Sequence, residues 1–333
     1  MELVNRSRYA AERALVLDGN GGELLAVVLK ATFAFSPRRG LSPAEEPPPV
    51  RLADEAAGEP GRSSILKASD LCPGKPGCDL VLLGRAGRSR PAPQVDVAFR
   101  VGALGREARV FGERRWSRSA GLPDPAPFEA VPLTWENAYG GRDELVPEGE
   151  PAEEDARNPV GIGFRARKSR RPVAGERLPH VEDPAQPIRG PLDRPAPAGF
   201  GFVAPHWEPR RSRGGTYDAA WRRDRAPLPP ADLDPRFHQR GAPGLVAPAP
   251  PPPGTPVVVT GVLPHGEMRF ELPRVVPAGQ LFFRTRKVDL SFELQTLLVD
   301  ADASLVELTF GAYESVHGRT RDVECVAVEA QGP

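Results

Sequence analysis

The chain of 333 residues is long enough for two ordinary domains or one large one, and its 40% hydrophobic content is sufficient for a buried core. Because 44 basic residues balance 44 acidic residues, the composition gives no overall attraction to nucleic acid or to an anionic membrane. The 41 prolines and 34 glycines predict long irregular connections and few, short helices.

The N-terminal third is predicted to be antiparallel β structure. Its first clear strand is ELLAVVLKATFAFSP, whose alternating apolar side chains are Leu25, Val27, Leu29, Ala31, Phe33 and Phe35. A proline-rich break follows at 44–49. After it, three segments separated by glycine and proline have strand composition: CDLVLLGRA, PQVDVAFRVG and REARVFGERRW.

The region from about residue 116 to residue 253 has no sustained periodicity and is cut by proline into short motifs. Aromatic residues recur throughout it, whereas disordered segments are depleted in them, so we expect an ordered but irregular layer. Within this layer DAAWRRD is predicted to form a short helix. ADLDPRFHQ is predicted to begin another, with Asp232 or Asp234 as its N-cap.

The C-terminal region returns to β patterning. TPVVVTGVLPHGEMRFELP is predicted to form a hairpin around His265 and Gly266, and residues 300–303 form a turn between two later strands. The predicted fold class is therefore mainly β. Antiparallel, sandwich-like sheets come from both ends of the chain, and the long Pro/Gly-rich middle layer packs over them.

The domain organisation depends on the proline run at 247–256, a stiff extended spacer. The chain is predicted to be one large unit, 1–333. The alternative is a subdivision into an N-terminal β region (1–115), a loop-rich region (116–253) and a C-terminal β region (254–333).

The cysteine content and the apolar segments bear on location. Three cysteines form no even-numbered disulfide framework, which favours a reducing compartment. The start of the chain has no apolar segment of signal-peptide type, and no run approaches the roughly 20 apolar residues of a membrane span. We therefore expect a cytoplasmic protein with no membrane partner.

Patterns typical of catalytic, metal or phosphate sites are weak. The histidines are scattered without metal-ligand spacing: His180, His206, His238, His265 and His317. Cys72 and Cys78 lie in a turn-like segment with no nearby histidine to activate them. NPVGIGF lacks the phosphate-binding signatures, so we expect Gly161 and Gly163 to provide backbone geometry, with Asn158 beginning a turn. No metal and no cofactor are predicted.

The segment 207–225 is rich in both arginine and aromatic residues. Its aromatic members are Trp207, Tyr217 and Trp221. This combination occurs in single-stranded nucleic acid binding, here through Arg210, Arg211 and Arg213, and equally among the anchor residues of protein interfaces. The zero net charge favours the protein interface, so no nucleic-acid partner is predicted.

Within this segment GGTYDAAW (214–221) is predicted to have a mainly structural role. We expect Gly214 and Gly215 to turn the chain, and Thr216 or Asp218 to cap a short helix through a side-chain oxygen. Two aromatic side chains are expected to pack inward: Tyr217 and Trp221.

Taken in order, eight motifs resemble the bacterial DUF2169 family over about residues 24–333. They are SDLCPGKPGCDLVLLGRA, VFGERRW, PLTWENAYGG, NPVGIGF, LPHVEDP, PAGFGFVAPHWEPRRSRGGTYDAAW, LPPADLDPRFHQ and APGL. The resemblance implies an adaptor or chaperone-like protein found near type VI secretion genes, which helps load a toxic effector onto the spike through VgrG or a PAAR-containing partner. It implies no enzymatic activity and no cofactor.

The motif residues expected to bind the partner or to define the fold are Trp135, Tyr139, Gly140, Gly141, Asn158, Gly161, Trp207, Arg210, Arg211, Gly215, Thr216, Tyr217, Asp218 and Trp221. One departure from the family pattern is the tyrosine in AYGG, where phenylalanine is expected, and we expect its hydroxyl to reach solvent. The competing hypothesis is an enzyme acting on glycans or cell-wall material, with paired carboxylates among Asp143, Glu153, Asp155 and Asp218.

Overall fold

The computed structural model describes residues 1–118, 121–316 and 318–333; His317, one of the five histidines considered above, lies outside them. Strands contain 42% of the residues and helices 6%, which confirms the predicted mainly β fold class. None of the described helices is long and apolar enough to cross a membrane.

The N-terminal region contains the predicted strands and others that the sequence did not reveal. Its strands are β1 (Glu2–Asn5), β2 (Ala10–Leu17), β3 (Glu23–Ser36), β4 (Gly40–Pro43), β5 (Glu55–Ala56), β6 (Ile65–Lys67), β7 (Cys78–Leu83), β8 (Arg85–Ala92), β9 (Gln94–Val101) and β10 (Leu104–Phe111). The prediction missed β2 and most of β8 because AAERALVL and RAGRSRPA lack an apolar alternation.

The middle region is an irregular layer with short elements, as predicted. Its strands are β11 (Phe128–Pro132), β12 (Tyr139–Gly140), β13 (Arg142–Asp143), β14 (Glu153–Glu154), β15 (Ile162–Gly163), β16 (Val181–Glu182) and β17 (Val246–Ala247). Its helices are the α-helix α1 (Ala219–Asp224) and the 3-10 helices Trp135–Asn137, Arg211–Arg213 and Pro235–His238. Both predicted helices are therefore present, and Asp234 caps the second by accepting from the Arg236 N–H.

The C-terminal region contains β18 (Pro256–Val262), β19 (Gly266–Glu271), β20 (Val276–Phe283), β21 (Lys287–Leu290), β22 (Glu293–Asp300), β23 (Leu305–Ser315), the 3-10 helix Thr320–Asp322 and β24 (Val323–Gln331). Strands β18 and β19 form the predicted hairpin around Gly266. The predicted turn after β22 is also confirmed, and the Asp300 carboxylate accepts from the Ala303 N–H at 3.0 Å.

Three sheets organise the described chain, and each combines strands from both ends of it. Sheet I has the order β17-β7-β22-β23-β3-β2, with β4 on β3; sheet II has the order β11-β8-β18-β9-β10-β16, with β19 on β18; sheet III is β1-β24-β20-β21. The expectation of purely antiparallel N-terminal strands is wrong for β7, which runs parallel to β22, and for β1, which runs parallel to β24. No short hairpin joins these partners, so nothing local forces them to be antiparallel.

The main core lies between sheets I and II and extends to sheet III. The alternating apolar residues of β3 face it, and the Phe35 ring of β3 lies 6.1 Å from the Phe270 ring of β19. The middle layer adds Trp135, Phe200 and Trp207 to the same core. A smaller apolar cluster lies within this layer and contains Trp116, Tyr139, Phe164, Leu178 and Ile188.

Candidate functional site

The motifs PLTWENAYGG and NPVGIGF form one buried unit in the middle layer. Asn158 is fully buried, and its side-chain amide donates to the carbonyl oxygens of Trp135 (2.8 Å) and Tyr139 (2.9 Å). The Trp135 indole N–H donates to Phe202 O at 2.8 Å, and its ring meets the Trp207 ring edge-on at 5.9 Å. These motif residues therefore define the fold of the layer.

Glycine is required in this unit because its backbones approach closely. A Cβ on Gly140 would lie 2.2 Å from the Asn158 carbonyl oxygen, and one on Gly161 would lie 2.5 Å from the Asn158 amide nitrogen. Gly141 approaches Gly161 in the same way. The predicted backbone role of Gly161 is thus confirmed.

The hydroxyl of Tyr139 does not reach solvent, so that expectation is wrong. Tyr139 is 2% exposed, and its hydroxyl has no hydrogen-bond partner among the described residues. Burial raises the pKa of Tyr139 to about 12. Tyr139 lies in β12, which pairs with β15, and its ring packs among the apolar side chains of the small cluster, away from the surface.

Arg210 is also buried, which removes it from any nucleic-acid surface. Its guanidinium donates to Val203 O at 2.6 Å and to Phe237 O at 2.9 Å. Burial, together with the nearby charge of Arg240, lowers the pKa of Arg210 to about 10. Arg210 therefore anchors the segment that precedes GGTYDAAW.

Residues 214–234 form an ordered surface segment that we call the aromatic arm. Gly215 begins it with φ 81°, in the left-handed region, which agrees with the predicted turn. The backbone N–H and hydroxyl of Thr216 donate to the Asp232 carboxylate at 3.0 and 2.7 Å, so Thr216 closes the arm and does not cap the helix. Asp218 is the N-cap of α1 and accepts from the Trp221 N–H at 2.8 Å.

The expectation that both aromatic side chains of the arm pack inward is wrong for Tyr217. This side chain is 59% exposed, and its ring meets the half-buried Trp221 ring edge-on at 4.7 Å. The Trp221 indole N–H donates to Leu228 O at 2.8 Å. The arm lies outside the main core, and the Tyr217 side chain, which precedes the N-cap of α1, remains exposed to solvent.

Ion pairs with nearby acidic residues neutralise some of the arginine side chains in and around the arm. Arg211 pairs with Glu208 at 3.2 Å and Arg223 pairs with Asp224 at 2.6 Å. Arg225 donates to Gly19 O at 2.5 Å and thereby ties the arm to the loop after β2. The surface is thus mixed in charge, unlike the uniform basic groove that follows a nucleic-acid backbone.

The carboxylates of the enzyme hypothesis have structural contacts. Asp143 and Glu153 are register partners in β13 and β14, but the buried Asp143 carboxylate accepts from the backbone N–H groups of Leu145 and Ala166, each at 3.1 Å. Burial alone would raise the pKa of Asp143. Hydrogen bonds and a nearby arginine lower it by more than burial raises it, so the net shift of the pKa is downward. Asp155 forms an ion pair with Arg157 at 2.6 Å.

The described histidine and cysteine side chains lie apart from one another. In the described ranges no three His, Cys, Asp or Glu side chains are placed as metal ligands. His180 donates to Phe111 O at 2.9 Å, and His206 accepts from the Trp207 indole at 3.0 Å. Cys72 donates to His238 O at 3.3 Å, and burial raises the pKa of Cys78 to about 12, which makes its thiolate scarce.

A buried ion cluster, which sequence reasoning missed, lies on the face of sheet I opposite the core. Lys30 of β3 is fully buried. It forms ion pairs with Asp70 at 3.1 Å and with Glu307 of β23 at 3.9 Å. Arg51 pairs with the same two acids at 3.1 and 2.6 Å. A lysine inside the apolar strand sequence VVLKATF was the available signal, because a charge there requires a buried partner.

The same face of sheet I carries two further lysine pairs. Lys75 pairs with Asp79 at 2.6 Å, and Lys67 pairs with Asp300 at 2.9 Å. The chain contains few lysines, so their concentration here sets this face apart from the arginine-rich surface.

The sequence profile of a family described as "Uncharacterized protein conserved in bacteria (DUF2169)" matches residues 20–310. Searches of curated proteins and of solved structures give no match. The matched range includes the buried glycine-rich unit and the complete aromatic arm. The chain therefore belongs to the DUF2169 family of bacterial proteins.

Proposed function

We propose that this protein is a non-enzymatic adaptor that binds a type VI secretion effector and helps load it onto the VgrG/PAAR spike. The observation that carries the proposal is the exposed Tyr217 ring, held edge-on against Trp221 on the aromatic arm. Tyrosine, tryptophan and arginine are the residues that most often dominate the binding energy of protein interfaces.

The arm has a fixed shape before any partner binds. Thr216 is hydrogen-bonded to Asp232 at the base of the arm, Asp218 caps α1, and Arg225, just after α1, donates to Gly19 O. Ordering of loops and side chains is a main cost of association, and a prearranged surface avoids much of it. This favours a binding role for the arm.

The alternatives have less support. Three of the carboxylates considered for glycan hydrolysis accept backbone or arginine donors, or cap a helix: Asp143, Asp155 and Asp218. The fourth, Glu153, forms an ion pair with Arg194 at 3.9 Å. For nucleic acid, Arg210 is buried and Arg211 is paired with Glu208. Binding of a protein partner requires neither a catalytic pair nor a continuous basic groove.

Co-purification tests the proposal directly. The protein is co-expressed with the products of the neighbouring effector and spike genes, as the wild type, as Tyr217→Ala and as Leu192→Ala. Leu192 is a matched control because it is also 59% exposed and lies outside the arm. We expect a complex with the wild type and with Leu192→Ala, and an affinity about tenfold or more lower for Tyr217→Ala. No complex with either neighbour would contradict the proposed function.

A further inference from the structure

The free edge of β10 is a second feature with the properties of a binding site. Across the described chain β10 pairs with β9 along its whole length, but with β16 only at Arg109 and Val110. The stretch 104–108 therefore has one side without a neighbouring strand. At about 3.4 Å per residue this open edge is about 17 Å long.

The backbone groups on this edge point outward at alternate residues. Phe111 donates its N–H to His180 O at 2.8 Å, on the side away from β9. Because peptide groups alternate along an antiparallel pair, Arg109, Glu107 and Gly105 direct theirs to the same outer side. Gly105 and Glu107 are exposed and lie beyond the end of β16.

The chain that supplies β16 cannot continue along this edge. After Glu182, Asp183 turns the chain by accepting the N–H of Ala185 at 2.8 Å, and Pro184 has no N–H to donate. The edge is thus left open by the sequence of the neighbouring segment. Peptide donors and acceptors remain available on β10 beyond this point.

An open groove of about 450 Å³ lies along the same edge. Its walls are β10 with the preceding turn, the segment 183–185 and Gly244. Arg106 supports the floor, since its guanidinium donates to Pro197 O at 3.2 Å and also to Pro243 O. The groove is lined by small residues, among them Ala103 and Ala185, and by charged residues, among them Arg100 and Asp183.

A second exposed edge, that of β2, is protected in a way that β10 is not. The Glu12 carboxylate accepts the N–H of Arg13 at 2.9 Å, and the Arg13 guanidinium donates to Met1 O. Charged side chains folded onto an edge are a common protection against strand addition. On β10 the Glu107 carboxylate pairs with Arg100, on the neighbouring strand β9, and leaves the edge uncovered.

We propose that the free edge of β10 binds an extended, proline-free segment of the effector as an added β-strand. The identity of this partner rests on the proposed function, whereas the binding mode rests on the edge itself. The outward N–H and C=O groups of Gly105 and Glu107 pair with the segment, and the groove contains its side chains. Backbone pairing of this kind gives affinity with little sequence selectivity, and it favours β-branched and aromatic residues in the added strand.

Two substitutions at Glu107 distinguish the contribution of its backbone N–H to binding from that of its side chain. Glu107→Pro removes the outward N–H and keeps the pairing with β9, because that N–H does not point toward β9. Glu107→Ala removes only the carboxylate and is the matched control. We expect effector affinity to fall about tenfold or more for Glu107→Pro and to stay within about twofold for Glu107→Ala. Equal binding by Glu107→Pro and the wild type would overturn the inference.

Hydrogen exchange of the wild-type complex gives a measurement that does not depend on the folding of a variant. The amides of Gly105 and Glu107 should exchange quickly in the free protein and slowly in the complex. A complex that forms with no added protection at 104–108 would leave the proposed adaptor function intact and overturn the edge as its binding site.

A phage-displayed library of linear peptides tests the edge without the effector. Peptides selected on the wild-type protein should include some that bind Glu107→Ala but lose binding to Glu107→Pro. Their recovery supports the edge even if the wild type forms no complex with the effector, in which case the proposed function alone fails. A selection in which no peptide distinguishes these two variants overturns the inference.

Discussion

The rings of Tyr217 and Trp221 meet edge-on with their centroids 4.7 Å apart, although Tyr217 is mostly exposed to solvent. The contact depends on Asp218, which lies between them and caps the first turn of α1 through the Trp221 N–H. An exposed aromatic side chain is therefore held in a fixed orientation by a helix cap. This links a local backbone feature to the proposed binding surface.

Removal of the cap should affect binding more than global stability. In Asp218→Ala the loss of about 1 kcal/mol of helix stability is enough to loosen a helix as short as α1. We expect weaker effector binding and a melting temperature close to that of the wild type, because the arm lies outside the core. Asp218→Asn retains the cap and should bind normally, so weak binding by both variants would show that the charge, and not the cap, is required.

Replacement of Tyr139 by phenylalanine should stabilise the protein. Its buried hydroxyl has no partner among the residues described, so Tyr139→Phe should raise the free energy of unfolding by about 1 kcal/mol. Tyr9→Phe is the matched control and should lower it, because the Tyr9 hydroxyl donates to Pro333 O at 2.9 Å. Denaturant unfolding of both variants measures the difference. Destabilisation by Tyr139→Phe would contradict the account of this hydroxyl.

The buried ion cluster should be sensitive to the loss of one member. Burial lowers the pKa of Lys30, although the charges of Asp70 and Glu307 partly offset this. Together with Arg51, the lysine balances the charges of these two acids. Lys30→Met leaves an uncompensated buried negative charge and should cost about 3–5 kcal/mol in denaturant unfolding. Lys168→Met removes an exposed pair with Glu150 and should have no measurable effect. Equal stability of the two variants would contradict this role of the cluster.

His238 should make the protein less stable in mild acid. Burial, followed by the charges of Arg240 and Arg210, lowers the pKa of His238. The unfolded chain then binds the proton more readily, so stability is lost as pH falls below about 6.5 toward the folded-state pKa, with a slope of at most about 1.4 kcal/mol per pH unit. Denaturant unfolding between about pH 7 and about pH 5 should show a weaker pH dependence for His238→Gln. An equal pH dependence of stability in the wild type and in His238→Gln would contradict the assignment of this effect to His238.

The strands that could be predicted are those whose local pattern already encodes burial. β3 is an example, because Leu25, Val27 and Leu29 alternate along it. Its other face could not be predicted, since Lys30 meets partners that lie far away in sequence, at Asp70 and Glu307. The parallel pairing of β7 with β22 was hidden for the same reason. The division of the chain at 247–256 remains a prediction.

The candidate site was predictable only in its local chemistry. The sequence indicated Asp218 as a cap and Gly161 as a backbone residue, because both roles depend on neighbouring peptide groups. It did not indicate the side on which Tyr217 and Tyr139 lie, and both expectations about their exposure were wrong. The edge of β10 was also unpredictable, since it depends on where the distant strand β16 ends.

Secretion of the effector in a strain that lacks this protein tests the central claim most directly. The deletion strain is complemented with the wild type, with Tyr217→Ala or with Leu192→Ala, and the effector is measured in the culture medium while assembly of the secretion machine is monitored separately. We predict loss of effector secretion in the deletion strain, recovery with the wild type and with Leu192→Ala, and poor recovery with Tyr217→Ala. Unchanged effector secretion in the deletion strain would contradict the adaptor function.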